Sequence, residues 1–235
     1  MNKDSYSDTK TVDYYMRLGE HGLFNYERKI VEEFFPSHSK IIDIGCGTGR
    51  TTNALWAMKY DVVGIDYSEE MIESARAFNP NIIFKVQDAR KLEFDDCQFD
   101  NALFSFNGIM LIETYNERLT AMREVNRILS SNGLFFFTTP FIDNKVHSEY
   151  WSRKIQATNK SLDELSFEDK LRIGDDIIED GGCQFQIHVP FVSEVEKMII
   201  DSGFIVEKSC RRLDVYEEEE LEDELDDNYV WVVRK

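Results

Sequence analysis

Residues 41–50 read IIDIGCGTGR, and their spacing decides the fold. A β-branched run passes through Asp43 into Gly45, Gly47 and Gly49, each two residues from the next. The segment KIIDI at 40–44 has the near-continuous apolar character of a buried strand, and a helical pattern takes over near residue 49. Glycines at such a turn allow left-handed backbone and let a ligand approach bare main chain. Two phosphate-binding readings fail by count. The dinucleotide fingerprint G-x-G-x-x-G would put its third glycine where this chain has Arg50. A P-loop requires a Gly-Lys pair followed by Ser or Thr, and the lysine is missing.

The rest of the chain extends the same pattern. Strand-like runs lie at 61–66, 82–87, 99–104 and 133–139, and helical periodicity at 49–59, 69–77 and 115–130, with Gly133 expected to stop the last helix. Strand alternating with helix predicts a parallel sheet covered on both faces. The end departs from this: a helix at 192–202 leads to strands at 203–212 and 228–235 with no helix-length pattern between them. Those two should pair as a hairpin, so the last strand runs antiparallel. Residues 12–35 predict one or two helices broken near Gly19 and Gly22. Residues 141–190 form an insertion after the fifth strand, with a helix-like stretch SFEDKLRIGDDII at 166–178. Ligands of open parallel sheets bind beyond the carboxyl ends of the strands, so the insertion is expected to act as a lid. The expected organisation is one domain over 1–235: a helical cap at 12–35, a ligand-binding core at 38–140, the lid at 141–190, and the final helix and hairpin at 191–235.

Three acids give the ligand a chemical identity. Asp66 ends the second strand, where a carboxylate can accept both hydroxyls of a ribose. Asp88 follows the third strand and suits the exocyclic amine of a base. Asp43, beside the glycine turn, would meet an ammonium better than a phosphate. Together they describe a nucleoside with a cationic amino-acid end. Each residue also has a plainer use: Gly47 in close helix packing, Asp66 as an N-terminal helix acid, Asp88 as a turn former, and Cys46 as a small buried side chain.

The segments DIGCGTGR (43–50), VVGIDYSEEMIESAR (62–76), VQDA (86–89), FDNALFSFNGI (99–109) and NRILSSNGLFFFTTP (126–140) resemble, in order, the motifs of class I S-adenosylmethionine-dependent methyltransferases. The resemblance covers residues 38–140 and the final helix and hairpin. It implies a Rossmann-like α/β fold, with a seven-stranded, mostly parallel sheet, the last strand antiparallel and helices on both faces. It implies S-adenosyl-L-methionine as cofactor and S-adenosyl-L-homocysteine as product. Gly45, Gly47 and Gly49 would cradle the methionine portion, with Asp43 and Cys46 in the same loop. Asp66 would hold the ribose, Tyr67 and Met71 flank the nucleoside, and Asp88 and Ala89 address the adenine. Ser105 and Phe106 would line the pocket near the sulfonium.

The acceptor is less constrained. The formal net charge is −18, which disfavours a polyanionic nucleic-acid partner. Ten acids without a base lie at 214–227, a stretch that reads as a solvated loop. The four cysteines are far apart and form no CxxC pair, so neither a metal site nor a disulfide framework is expected. No apolar run is long enough for a membrane span and the first residues are polar, which points to a cytoplasmic protein without a signal peptide. The expectation is transfer of a methyl group to an oxygen or nitrogen of a small molecule. A regulatory module that binds the cofactor without turnover, a tRNA or protein methyltransferase, and a nicotinamide oxidoreductase stand as alternatives. The family transfers no universal catalytic residue, so His188 and His147 stand as possible bases beside a structural use. Tyr14, Tyr15, Tyr150 and Trp151 could cover the cofactor or pack in the core.

Overall fold

The structure is a computed structural model, and it describes residues 5–142, 148–180, 182–215 and 228–235. Seven strands form one sheet: β1 (Lys40–Ile44), β2 (Asp61–Asp66), β3 (Ile83–Val86), β4 (Phe99–Phe104), β5 (Leu129–Thr139), β8 (Ile205–Arg211) and β9 (Tyr229–Arg234). Their order is β3-β2-β1-β4-β5-β9-β8. Strands β1 to β5 pair in parallel, while β9 runs antiparallel to both β5 and β8, as the missing crossover helix required. A separate hairpin, β6 (Asp175–Asp180) with β7 (Cys183–His188), lies in the insertion.

Alternation along the strands divides the core in two. Ile41, Val62, Leu134 and Phe136 face one side and pack against α2 (Asn25–Phe34), α3 (Arg50–Ala57) and α4 (Glu69–Phe78). Ile42, Ile44, Val63, Phe135 and Phe137 face the other, under α5 (Tyr115–Ile128) and α8 (Val192–Asp201). Helix α1 (Thr9–Gly19) precedes α2, and the break between them falls at the expected glycines. Helices α6 (Ser148–Gln156) and α7 (Phe167–Gly174) belong to the insertion, and α9 (Arg212–Val215) is a single turn after β8. No helix of the described residues is long and apolar enough to cross a membrane.

Two local expectations are corrected. Helix α5 ends at Ile128, and Gly133 lies inside β5 rather than at a helix stop. The left-handed residue there is Asn132, with φ 65°. Glycine is needed at 133 because an added Cβ would lie 2.8 Å from the Asp100 carbonyl oxygen on the neighbouring strand. The helix-like stretch 166–178 is helical only to Gly174, and Asp175 opens β6. Gly174 marks the change because its Cα packs against β7, where a Cβ would meet the Val189 carbonyl oxygen at 2.5 Å.

Candidate cofactor site

The strand order reverses between β1 and β4, and in open α/β sheets that is where a crevice opens beyond the strand ends. A cavity of about 670 Å³ occupies this position. Its walls are the segments that follow β1, β2, β3 and β4.

The glycine loop forms the floor. Gly45, Gly47 and Gly49 have φ 63°, 53° and 93°, all left-handed. Their uses differ. A Cβ on Gly45 would lie 2.6 Å from Cε2 of Phe104, so this glycine admits the Phe104 ring beneath the loop. Gly49 is the N-cap of α3. Gly47 lines the cavity, and among the described residues a Cβ added there would meet no atom within 4 Å and would project into open space.

The loop's donors are committed internally. Cys46 N donates to the Ile65 carbonyl oxygen, Gly47 N to Asp66 Oδ2 and Gly49 N to the Cys46 carbonyl oxygen, each at 2.9 Å. A phosphate cradle needs several such N–H groups turned to the ligand, and these three are turned inward. Carboxylates are present instead. Asp43 Oδ2 accepts from Thr51 Oγ1 and Thr52 Oγ1, both at 2.5 Å, while burial pushes its pKa up to about 6. Asp66 accepts a second bond from Ser68 N at 2.9 Å through Oδ1, and burial raises its pKa too. Asp66 thus fixes the loop it faces, and each carboxylate oxygen retains capacity for a ligand hydroxyl. The Cys46 thiol is buried, and that burial pushes its pKa well above the usual range, which disfavours the thiolate.

The structure brings the other sequence-derived residues to the same cavity. Tyr67, Met71, Asp88, Ala89, Ser105 and Phe106 all line it, as do Asp43, Gly45, Cys46 and Asp66; Gly49 sits one residue behind, at the helix cap. Asp88 does not stand alone at the rim. Arg90 Nη2 reaches its Oδ2 at 2.7 Å, and Arg90 Nη1 reaches Glu117 Oε1 at 2.5 Å. Phe106 and Asn107 hold left-handed backbone, with φ 54° and 61°.

Of the two segments expected to cover the site, the N-terminal cap does so and the insertion does not: among the described residues, Tyr6, Tyr15 and Leu18 of the N-terminal segment line the cavity, and the insertion contributes no lining residue. Thr48 Oγ1 donates to the Tyr15 carbonyl oxygen at 2.9 Å, which ties α1 to the glycine loop. The insertion supports this cover from behind: Phe185 of β7 packs on Tyr6 with ring centroids 4.5 Å apart. Tyr14 packs edge-on against Tyr15, Trp151 is buried in the insertion, and Tyr150 donates to Asp176.

His188 lies outside the cavity. It is buried with Nδ1 at 2.9 Å from Asp175 Oδ1 and Nε2 at 3.1 Å from Glu194 Oε2, joining the β6–β7 hairpin to the start of α8. Its place is that of a structural histidine. His147 lies outside the described residues, as does most of the acidic stretch, 216–227.

Sequence reasoning missed the ion pair behind the loop. Arg50 Nη1 and Nη2 meet Glu27 Oε2 and Oε1 at 2.7 and 2.8 Å, and both residues are buried. One signal was available: Arg50 is the first residue of α3, where a cation opposes the helix dipole and calls for a carboxylate partner.

Residues 41–133 match the family model described as a methyltransferase domain. The chain is 30% identical over 139 residues to "Putative methyltransferase YqeM" of Bacillus subtilis, covering 58% of this chain and 53% of that protein. It is 29% identical over 126 residues to a demethylmenaquinone methyltransferase of Corynebacterium kroppenstedtii, covering 52% of each. The matched stretch thus spans about half the length of these relatives. In fold it is similar to a solved S-adenosylmethionine-dependent methyltransferase from Methanosarcina mazei, with TM-score 0.70 and 21% identity over 91% of this chain and 98% of that one. Residues 41–133 thus resemble a methyltransferase domain, and the fold is that of solved S-adenosylmethionine-dependent methyltransferases. The cavity has the features such a cofactor, S-adenosyl-L-methionine, would need: bare backbone at Gly47, two buried carboxylates and aromatic walls.

Proposed function

We propose that this chain transfers a methyl group from S-adenosyl-L-methionine to an oxygen or nitrogen of a small molecule. The observation that carries the reading is Gly47, whose absent side chain opens into a cavity bounded by Asp43 and Asp66. When bound, the cofactor supplies a methyl group already activated on a sulfonium, which an acceptor lone pair can take by in-line displacement. The chain's own residues then have three tasks. Asp43 and Asp66 fix the two polar ends of the cofactor, and the inward-turned loop keeps phosphate-bearing competitors out. Tyr6, Tyr15, Tyr67 and Phe106 exclude water and restrict the approach of the acceptor. Holding two reactants in line replaces an entropic cost that can reach about 7–11 kcal/mol, so positioning can supply much of the acceleration.

A small acceptor is favoured by the net charge of −18, which repels phosphate polymers, and by the cover of α1 over the cavity. The name of the Corynebacterium relative, a demethylmenaquinone methyltransferase, is in keeping with a small acceptor. The test is methyl transfer from labelled cofactor to fractionated small metabolites, RNA and protein in parallel. Label in a small-molecule product is the expected result. Label confined to RNA or protein would overturn the acceptor class.

A further inference from the structure

The cavity is held in shape by a buried network that touches three of its walls. Arg50, at the start of α3, pairs through both terminal nitrogens with Glu27 of α2, and its Nη1 also donates to the Gly22 carbonyl oxygen at 2.6 Å. Glu27 Oε2 in turn accepts from Phe24 N at 2.8 Å. Those two bonds fix the turn at 20–24, through which α1 and its cavity residues Tyr15 and Leu18 join α2. Ser105 Oγ donates to Glu27 Oε1, which anchors the segment after β4. The Arg50 guanidinium lies over the Phe24 ring at 4.3 Å and 5.8 Å from the centroid of Phe106. One ion pair therefore joins the glycine loop, the cover and the segment after β4.

A purely stabilising role would not require this wiring. A buried ion pair loses much of its Coulombic gain to desolvation, and apolar side chains of similar volume are often as stable. What apolar side chains cannot supply is the set of directed bonds to Gly22, Phe24 and Ser105. We propose that Glu27 and Arg50 are positioning residues for the cofactor: their pair sets the relative placement of the three walls, and with it the affinity for S-adenosyl-L-methionine and its product. Glu27 is not among the cavity's lining residues and acts wholly through its partners, whereas Arg50 also lines the cavity, so Glu27→Gln is the variant that separates positioning from direct contact. The inference rests on the cavity being the cofactor site.

The test measures S-adenosylhomocysteine affinity and thermal stability together in four variants. Glu27→Gln and Arg50→Met each leave a buried partner unmatched and should lose both stability and affinity. The double variant Glu27→Leu with Arg50→Met removes the charges together; it should regain stability while affinity stays at least about tenfold below wild type, a difference of about 1.4 kcal/mol. Met198→Ala, buried on α8 and not among the lining residues, should lower stability and leave affinity within about twofold. Recovery of affinity along with stability in the double variant would overturn the positioning role, as would wild-type affinity in Glu27→Gln. Failure of the wild-type protein to bind S-adenosylhomocysteine is a separate outcome, which overturns the cofactor site itself and the inference with it.

Discussion

The loops after the neighbouring strands β1 and β4 both line the cavity, and both pass through left-handed backbone. The first does so with glycines, at Gly45, Gly47 and Gly49; the second does so with Phe106 and Asn107. Left-handed backbone costs a residue with a Cβ roughly 1–2 kcal/mol, least for Asn. The second loop offsets that cost with contacts: Asn107 N donates to Thr138 Oγ1 at 2.9 Å, Asn107 Nδ2 to Asn228 Oδ1 at 3.1 Å, and the Phe106 ring stacks near Phe24. One loop is shaped by what its residues permit and the other by what surrounds it. That difference explains why the first announces itself in the sequence and the second does not.

The glycines separate the two demands most sharply. Gly45→Ala would force a Cβ into the Phe104 ring and into left-handed backbone at once, so stability should fall by roughly 3 kcal/mol. Gly47→Ala meets no neighbour and should cost only about 1 kcal/mol in stability. Its methyl group projects into the cavity, however, and cofactor affinity should drop by at least about tenfold. Denaturant unfolding and product titration on the two variants check this, and equal profiles would erase the distinction between a packing glycine and a ligand glycine.

A smaller effect probes the opposite loop. Asn107→Gly removes the conformational cost along with the bond to Asn228, whereas Asn107→Ala removes the bond and increases the cost. The alanine variant should be the less stable by about 1 kcal/mol in equilibrium unfolding. Alanine no worse than glycine would mean that the left-handed backbone at 107 is not a meaningful cost.

The same contrast governs what the sequence disclosed. Strands 40–44, 61–66 and 99–104 appear in the structure with the bounds expected from their apolar runs, because strands buried on both faces carry an unbroken signal. The antiparallel last strand followed from the missing crossover helix. Asp43, Asp66 and Asp88 were legible because they stand at or just beyond strand ends, where topology brings them together, whereas Tyr67, Met71, Ala89, Ser105 and Phe106 followed only from the resemblance to a family. The hairpin at 175–188 was hidden because Asp175–Asp180 reads as the continuation of a polar helix, and its end at Gly174 depends on close approach to β7. The Glu27–Arg50 pair was hidden for a related reason. Its members lie 23 residues apart on different helices, and no periodicity links such positions.

The most direct test of the ligand's identity is calorimetric titration of the wild-type protein with S-adenosylhomocysteine, repeated across pH, beside NAD as a phosphate-bearing control. Burial raises the Asp43 pKa to about 6, and a ligand ammonium requires its ionised form. Protons and ligand should therefore compete: binding is strong at neutral pH, weakens as pH falls through about 6, and loses that dependence in Asp43→Asn. A folded protein that takes up NAD and not S-adenosylhomocysteine would contradict the account.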